Sequence, residues 1–208
     1  MFRKTAHLSV DLCVRARVHP DTISCASMVF AAAAALGFYY ATDFPWLLLA
    51  APLLCYVRLW LNMLDGMVAQ AAGKASRRGE IFNDLPDRVS DILIFAGVAH
   101  SGLCNPFLAY WAALLAVMTA YVGTLGQAVA GHREFAGIMS KPWRMVVLHL
   151  GAWTAFMLLW QHGTSALGPL TVLDHTNILI IVGCLQTVFI RLRRTFYRLA
   201  GKQHHNHD

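Results

Sequence analysis

Of the chain's 11 acidic residues, Asp65, Glu80, Asp84, Asp87 and Asp91 fall between Asn62 and Asp91, with long apolar runs on both sides. A carboxylate near a bilayer centre costs about 2.5–3.5 kcal/mol on insertion scales. Several together persist only if they face water, a cation or one another. Asn62 and Asp65 are three residues apart at the end of one apolar run, so they share a helix face. At about 100° per residue, Asn83, Asp87, Asp91 and Asp84 fall at roughly 0°, 40°, 80° and 100° around the next helix. Two helices thus offer oxygen-rich stripes of the kind that hard cations such as Mg2+ or Mn2+ prefer. The plainer reading is a solvated acidic loop. It suits Lys74 to Glu80, but not Asp65 at the end of one apolar run or Asp87 and Asp91 at the start of another.

The elements that position these residues are membrane helices. The chain has 208 residues, 57% hydrophobic and only 13% charged, which no ordinary soluble domain matches. The reading is all-α: one polytopic membrane domain over residues 1–208, with six transmembrane helices and an N-terminal interfacial amphipathic helix. The spans run from about Thr22 to Tyr40, Trp46 to Ala69, Leu85 to His100, Phe107 to Val129, Met145 to Trp160 and Asn177 to Ile190. Met1 to Arg17 carries Arg3, Lys4, Arg15 and Arg17 on a mixed apolar background, which suits an anionic surface. No apolar core and small-residue cleavage site follow the first charges, so a cleavable signal peptide is not expected.

Proline and glycine punctuate the spans. His19-Pro20-Asp21-Thr22 reads as a helix start. Pro86 near the head of the third span implies either a cap at Asp84 or a kink. Gly123, Gly126 and Gly131, late in the fourth span, permit close helix approach or leave room for a ligand. Arg58 lies one turn before Asn62 on the same side. It would pair with the carboxylates, receive a phosphate or snorkel to the interface. Lys141 and Arg144 open the fifth span.

Lys and Arg gather in the N-terminus, in Lys74–Arg78, in Arg133–Arg144 and in Arg191–Lys202, and are missing from Thr42–Pro45, Ser101–Pro106 and Gln161–Thr176. By the positive-inside rule both termini and the acidic motif are cytoplasmic. The net charge of +6 then reflects topology and anionic lipid, and no nucleic-acid module accompanies it. The five cysteines show no paired spacing that would mark a disulfide or zinc site.

The run Asn62-x2-Asp65-Gly66-x2-Ala69-Gln70-x8-Gly79-x3-Asn83-x3-Asp87 resembles the CDP-alcohol phosphatidyltransferase signature, D-x2-D-G-x2-A-R-x8-G-x3-D-x3-D. The spacing agrees throughout. Asn62 and Asn83 replace two Asp, and Gln70 replaces Arg. The resemblance implies transfer of a phosphatidyl or other phospho-alcohol group from a CDP-alcohol, such as CDP-diacylglycerol, to a hydroxyl acceptor with release of CMP, in phospholipid biosynthesis. It implies Mg2+ or Mn2+ as cofactor, with Asn62, Asp65, Asn83 and Asp87 as ligands and Asp87 also as the catalytic base. Asp84 and Asp91, on the same stripe, are expected to restore the charge lost at the two asparagines. Gly66, Ala69, Gln70 and Gly79 would border the CDP-alcohol, and Arg58, Lys141 and Arg144 the acceptor or a phosphate. Glycerol phosphate, inositol phosphate, serine and a second lipid all fit as acceptor. The implied setting is a bacterial cytoplasmic membrane, with lipid as neighbour and a homodimer compatible. The alternative is a weakly active or inactive relative that binds metal, nucleotide or lipid as a membrane partner protein.

Overall fold

The computed structural model describes residues 9–14, 20–71 and 77–205. Residues 9–14 are helical, and Val10 packs with Ile23, Leu64 and Val68. The remainder of the expected interfacial helix lies outside the described residues. Six long helices follow: α1 (Pro20–Tyr39), α2 (Leu47–Ala71), α3 (Arg77–Ala99), α4 (Pro106–Ala130), α5 (Lys141–His162) and α6 (Val172–His205). Five of them, all but α3, are long and apolar enough to cross a membrane, and α3 carries the charged half of the motif. Many large apolar side chains point outward, among them Leu114, Tyr121, Val182 and Phe189. A helix apolar on all sides needs either a core or lipid around it, and this architecture is that of a polytopic membrane protein.

Local chemistry sets the helix ends. Pro106 occupies the first turn of α4, the Asn105 side chain accepts from the Phe107 amide, and Gly131 closes the helix at φ 75. Pro at the start needs no amide partner, and Gly at the end adopts the left-handed conformation without Cβ strain. Gly163 closes α5 in the same way at φ 69. A two-stranded hairpin, β1 (Ala166–Leu167) and β2 (Leu170–Thr171), fills the connection to α6.

Helix α1 packs on α2 and α3, α4 on α3 and α6, and α5 on α2 and α6. Close approaches rely on missing side chains. A Cβ on Gly97 would come 2.2 Å from the Ala35 carbonyl oxygen, so α1 and α3 cross with backbone nearly touching. Gly123 and Gly126 admit the loop after α4 and the α6 side chains: added Cβ atoms would lie 2.9 Å from Glu134 O and 3.0 Å from Thr195 Oγ1. Packing therefore uses these two glycines. The up-and-down order gathers the start of α1, the end of α2, the start of α3, the end of α4, the start of α5 and the late part of α6 at one end.

Several boundaries differ from expectation: α5 starts at Lys141, not Met145, and α6 runs from Val172 to His205, not from Asn177 to Ile190. Helix α3 begins at Arg77, not near Leu85, and Pro86 lies inside it. Asp84 is therefore no cap. It holds Arg88 one turn later at 2.9 Å, an ion pair that helical spacing creates.

Candidate active site

The motif residues meet at that polar end. Asp65, on α2, is 2% exposed, and Ser24 of α1 donates to its Oδ2 at 2.5 Å. Asp87, one turn into the buried part of α3, faces α2 and α5. Arg58 donates to its backbone carbonyl at 2.9 Å and pairs with its Oδ1 at 3.1 Å. Lys141 Nζ, at the head of α5, lies 2.5 Å from Asp87 Oδ2 and also donates to Asn62 Oδ1. The Asp65 carboxylate is within electrostatic range of both Asp87 and Lys141.

Asp91 is fully buried between two guanidiniums, 3.2 Å from Arg58 Nη1 and 2.9 Å from Arg144 Nη2. Arg144 is itself 2% exposed and donates to Thr119 Oγ1 and the Met139 carbonyl. Asp84 sits farther out, bound by Arg88 and, at 2.6 Å, by Arg133. Of the three readings of Arg58, the structure shows pairing with carboxylates, fully buried. Lys141 and Arg144 likewise contact motif side chains directly. The carboxylates of Asp84 and Asp91 are held by arginines.

Gly66 and Ala69 are partly buried on α2, and Gln70 is exposed near its end. Gly79 and Asn83 lie on α3, with the Asn83 side chain outside the described residues.

Beside these residues opens a cavity of about 720 Å³ lined by Asn62, Asp84, Asp87, Arg88, Thr119, Gln127, Arg133, Glu134, Lys141, Arg144 and Arg191, among others. The sequence did not mark Ser24, which holds Asp65, or Arg191 and Glu134 in the cavity wall, as site residues. Ser24 is one serine in an apolar helix, with no spacing to mark it. Arg191 reads as tail charge, yet it bonds the backbone carbonyls of Thr119 and Ala136. Glu134 reads as a loop residue, yet it is 2% exposed and paired with Arg198 at 2.8 Å.

The oxygen set fits a hard cation in one respect that the structure itself displays. Asn62 Oδ1 and Asp87 Oδ2 converge on one ammonium, with the Asp65 charge close by. Among the described residues no group of three or more His, Cys, Asp or Glu forms a metal cluster. The convergent set is instead mixed carboxylate and amide.

No family model matches the chain. The inner membrane protein YnbA of Escherichia coli (strain K12) is 31% identical over 106 residues, 51% of this chain and 53% of that protein. The chain thus spans about half the length of that relative. A phosphatidylinositol phosphate synthase of Mycolicibacterium smegmatis is 29% identical over 164 residues, 71% of this chain and 72% of the synthase. Phosphatidylinositol phosphate synthases belong to the CDP-alcohol phosphatidyltransferases. The crystal structure of the Mycobacterium tuberculosis phosphatidylinositol phosphate synthase with CDP-DAG bound superposes with a TM-score of 0.72 at 20% identity, covering 93% of this chain and 94% of that one. The same synthase in complex with manganese and citrate superposes at 0.71, again at 20% identity, covering 90% and 87%. The chain has the fold of that synthase, and sequence relatives that are integral to membranes or act as CDP-alcohol phosphatidyltransferases.

Proposed function

We propose that the chain is a CDP-alcohol phosphatidyltransferase of the bacterial cytoplasmic membrane. It spans the membrane six times, with its termini and the motif on the cytoplasmic side. The observation that carries this reading is the convergence of Asn62 and Asp87, from two helices of the signature, on one ammonium beside a cavity, with the Asp65 charge close by. The donor is CDP-diacylglycerol or a similar CDP-alcohol. Its tails stay in the bilayer while its head group enters at the polar end of the bundle, past Gly66, Ala69 and Gly79. Asn62, Asp65 and Asp87 would hold Mg2+ or Mn2+, which would supply positive charge against the pyrophosphate and the departing CMP.

The chain's own residues do the rest. Asp87 accepts the proton of the acceptor hydroxyl as its oxygen attacks the phosphorus of the phosphatidyl group. The new P–O bond forms, the pyrophosphate P–O bond breaks, and CMP leaves with the bonding pair. Arg58 anchors Asp87 through backbone and carboxylate alike, which fixes the base in position. The cavity wall bears Arg88, Arg133, Lys141, Arg144 and Arg191 against Asp84, Asp87 and Glu134, an excess of positive charge. That balance favours an acceptor carrying a phosphate, such as a phosphorylated polyol, over serine or an uncharged alcohol.

The competing reading is an inactive relative that only binds lipid or nucleotide. It draws on the asparagines at two positions where the signature has Asp and on the arginines that hold Asp84 and Asp91. Purified protein with CDP-diacylglycerol and Mn2+, offered a panel of acceptors, tests both. CMP release with a phosphorylated polyol and none with serine is expected. No CMP release with any acceptor, alongside intact CDP-diacylglycerol binding, would favour the inactive relative.

A further inference from the structure

The cations that line the cavity differ in what holds them. Arg144 is locked to the buried Asp91 and donates to Thr119 Oγ1 and the Met139 carbonyl. Arg191 is engaged by the backbone carbonyls of Thr119 and Ala136. Lys141 lies on Asn62 and Asp87. Arg133 is held differently. It pairs with Asp84 at 2.6 Å, and the two side chains are 33% and 34% exposed. The same Asp84 oxygen also receives Arg88, one turn along α3, at 2.9 Å.

Asp84 Oδ1 thus takes two guanidiniums where one matches its charge. If Arg133 turned away, Arg88 would still neutralise Asp84, and no buried charge would be stranded. Ion pairs this exposed contribute little to stability, so exchanging one partner costs little. The opposite holds for Arg144, whose departure would leave Asp91 short of a partner in a fully buried place. The loop that carries Arg133 is itself fixed. Arg191 holds the Ala136 carbonyl, Gln186 and Thr187 accept from the amides of Ile138 and Met139, and the buried Glu134 pairs with Arg198. The loop therefore stays in place while the guanidinium at its edge can change partner. A phosphate monoester is a stronger partner than a carboxylate. It carries about −1.5 to −2 charge at pH 7 and three acceptor oxygens, and guanidinium pairs with phosphate are frequently bidentate.

We propose that Asp84 is a built-in stand-in for the acceptor's phosphate. It holds Arg133 across the cavity wall, and an entering phosphate monoester takes Arg133 from it while Arg88 keeps Asp84 neutralised. Asp84 is then a specificity-determining residue, because an anion no stronger than a carboxylate gains nothing on Arg133 by entering. This rests on the reading of the site as one that joins a CDP-alcohol to a phosphorylated acceptor. It assigns the Asp84 carboxylate to the acceptor side and not to the metal.

The test is calorimetric binding of inorganic phosphate to the purified full-length chain in phosphatidylcholine nanodiscs, with chelator present so that metal plays no part. Asp84→Asn should bind phosphate about fivefold more tightly than the wild type, the upper range for release of an exposed ion pair. Arg133→Gln should bind at least tenfold more weakly, and adding Asp84→Asn to it should recover less than twofold. Binding too weak to detect in Arg133→Gln, with CDP-diacylglycerol still bound, is the limit of that weakening and upholds the proposal. Unchanged or weaker phosphate binding in Asp84→Asn would overturn it, and a damaged fold cannot imitate the expected gain. So would wild-type affinity in Arg133→Gln, or a full fivefold gain from Asp84→Asn in that background, the mark of a general charge effect and not of exchange. CDP-diacylglycerol affinity in Mn2+ separates the two sources of phosphate. It should be the same in the wild type and Asp84→Asn, and a fivefold gain there would assign Arg133 to the donor pyrophosphate and overturn the acceptor role. CDP-diacylglycerol binding with the wrong phosphate pattern defeats the stand-in alone, whereas a wild type that binds neither defeats the functional reading with it.

Discussion

The two ends of the helix bundle solve the problem of buried polarity differently. At the end with the hairpin, polar groups finish helices. Asn105 caps α4, and Asp174 accepts from the Asn105 amide at 2.6 Å and from the Thr171 amide at 3.0 Å. There His100 meets the Tyr110 hydroxyl at 2.7 Å and packs near the Tyr39 ring, both exposed. At the other end, full charges lie between helices far apart in sequence. Arg58, Asp91 and Arg144 form a triad with almost no exposure. Caps repay themselves through hydrogen bonds worth about 1 kcal/mol each. A buried charge triad does not generally stabilise more than apolar residues of equal volume would. The proposed function accounts for such a triad beside a cavity, whereas the caps at the hairpin end need only folding to explain them.

The largest way to break that contrast is Asp91→Asn. It would remove the buried negative charge that two guanidiniums share, and a loss of about 3–5 kcal/mol in unfolding free energy is expected. Thermal unfolding in detergent would register it, and a loss below about 1 kcal/mol would mean that the triad is more hydrated than its burial indicates. Asp174→Ala, at the hairpin end, should cost about 1–3 kcal/mol and leave CDP-diacylglycerol affinity unchanged. If it instead changed lipid affinity, the division between the ends would fail.

Function should divide the other way. Asp87→Asn is expected to reduce turnover by about 10²–10⁴-fold, the usual weight of a general base, while CDP-diacylglycerol still binds. Asp65→Asn should first raise the Mn2+ concentration that half-maximal turnover requires, because Asp65 holds no acceptor proton in this scheme. Metal titrations of both variants separate the roles, and identical titration curves would merge them.

The smallest effect, and the one that fixes which end is which, is accessibility. On a cysteine-free background, Ser76→Cys should resist an impermeant thiol reagent applied to intact cells, and Thr164→Cys, exposed in the segment between α5 and the hairpin, should react. Reversed labelling would place the cage on the outer side and leave cytoplasmic CDP-alcohol out of reach.

Much of this was legible in the sequence because it is local. Helix periodicity and the spacing from Asn62 to Asp87 place oxygens on α2 and α3 without any tertiary knowledge, and connections without Lys or Arg at Thr42–Pro45, Ser101–Pro106 and Gln161–Thr176 mark the ends of spans. Pro86 misled the boundary of α3, because proline argues for a helix start, yet here it lies inside a helix that begins at Arg77. Long-range pairing was not legible. Arg144 and Asp91 are 53 positions apart, and Lys141 and Asn62 are 79 apart. Nothing in either spacing says which base meets which acid. The motif advertised oxygens, and only the packing of α5 against α2 revealed that a lysine already lies on them.

The central claim is that the polar end of this bundle is a metal-dependent cage for a CDP-alcohol. Its most direct test is the affinity of the purified chain for CDP-diacylglycerol, measured with Mn2+ and again in excess chelator. Binding should be strong with the metal and fall at least tenfold when it is removed. Equal affinity in both conditions would contradict the account and place the lipid elsewhere.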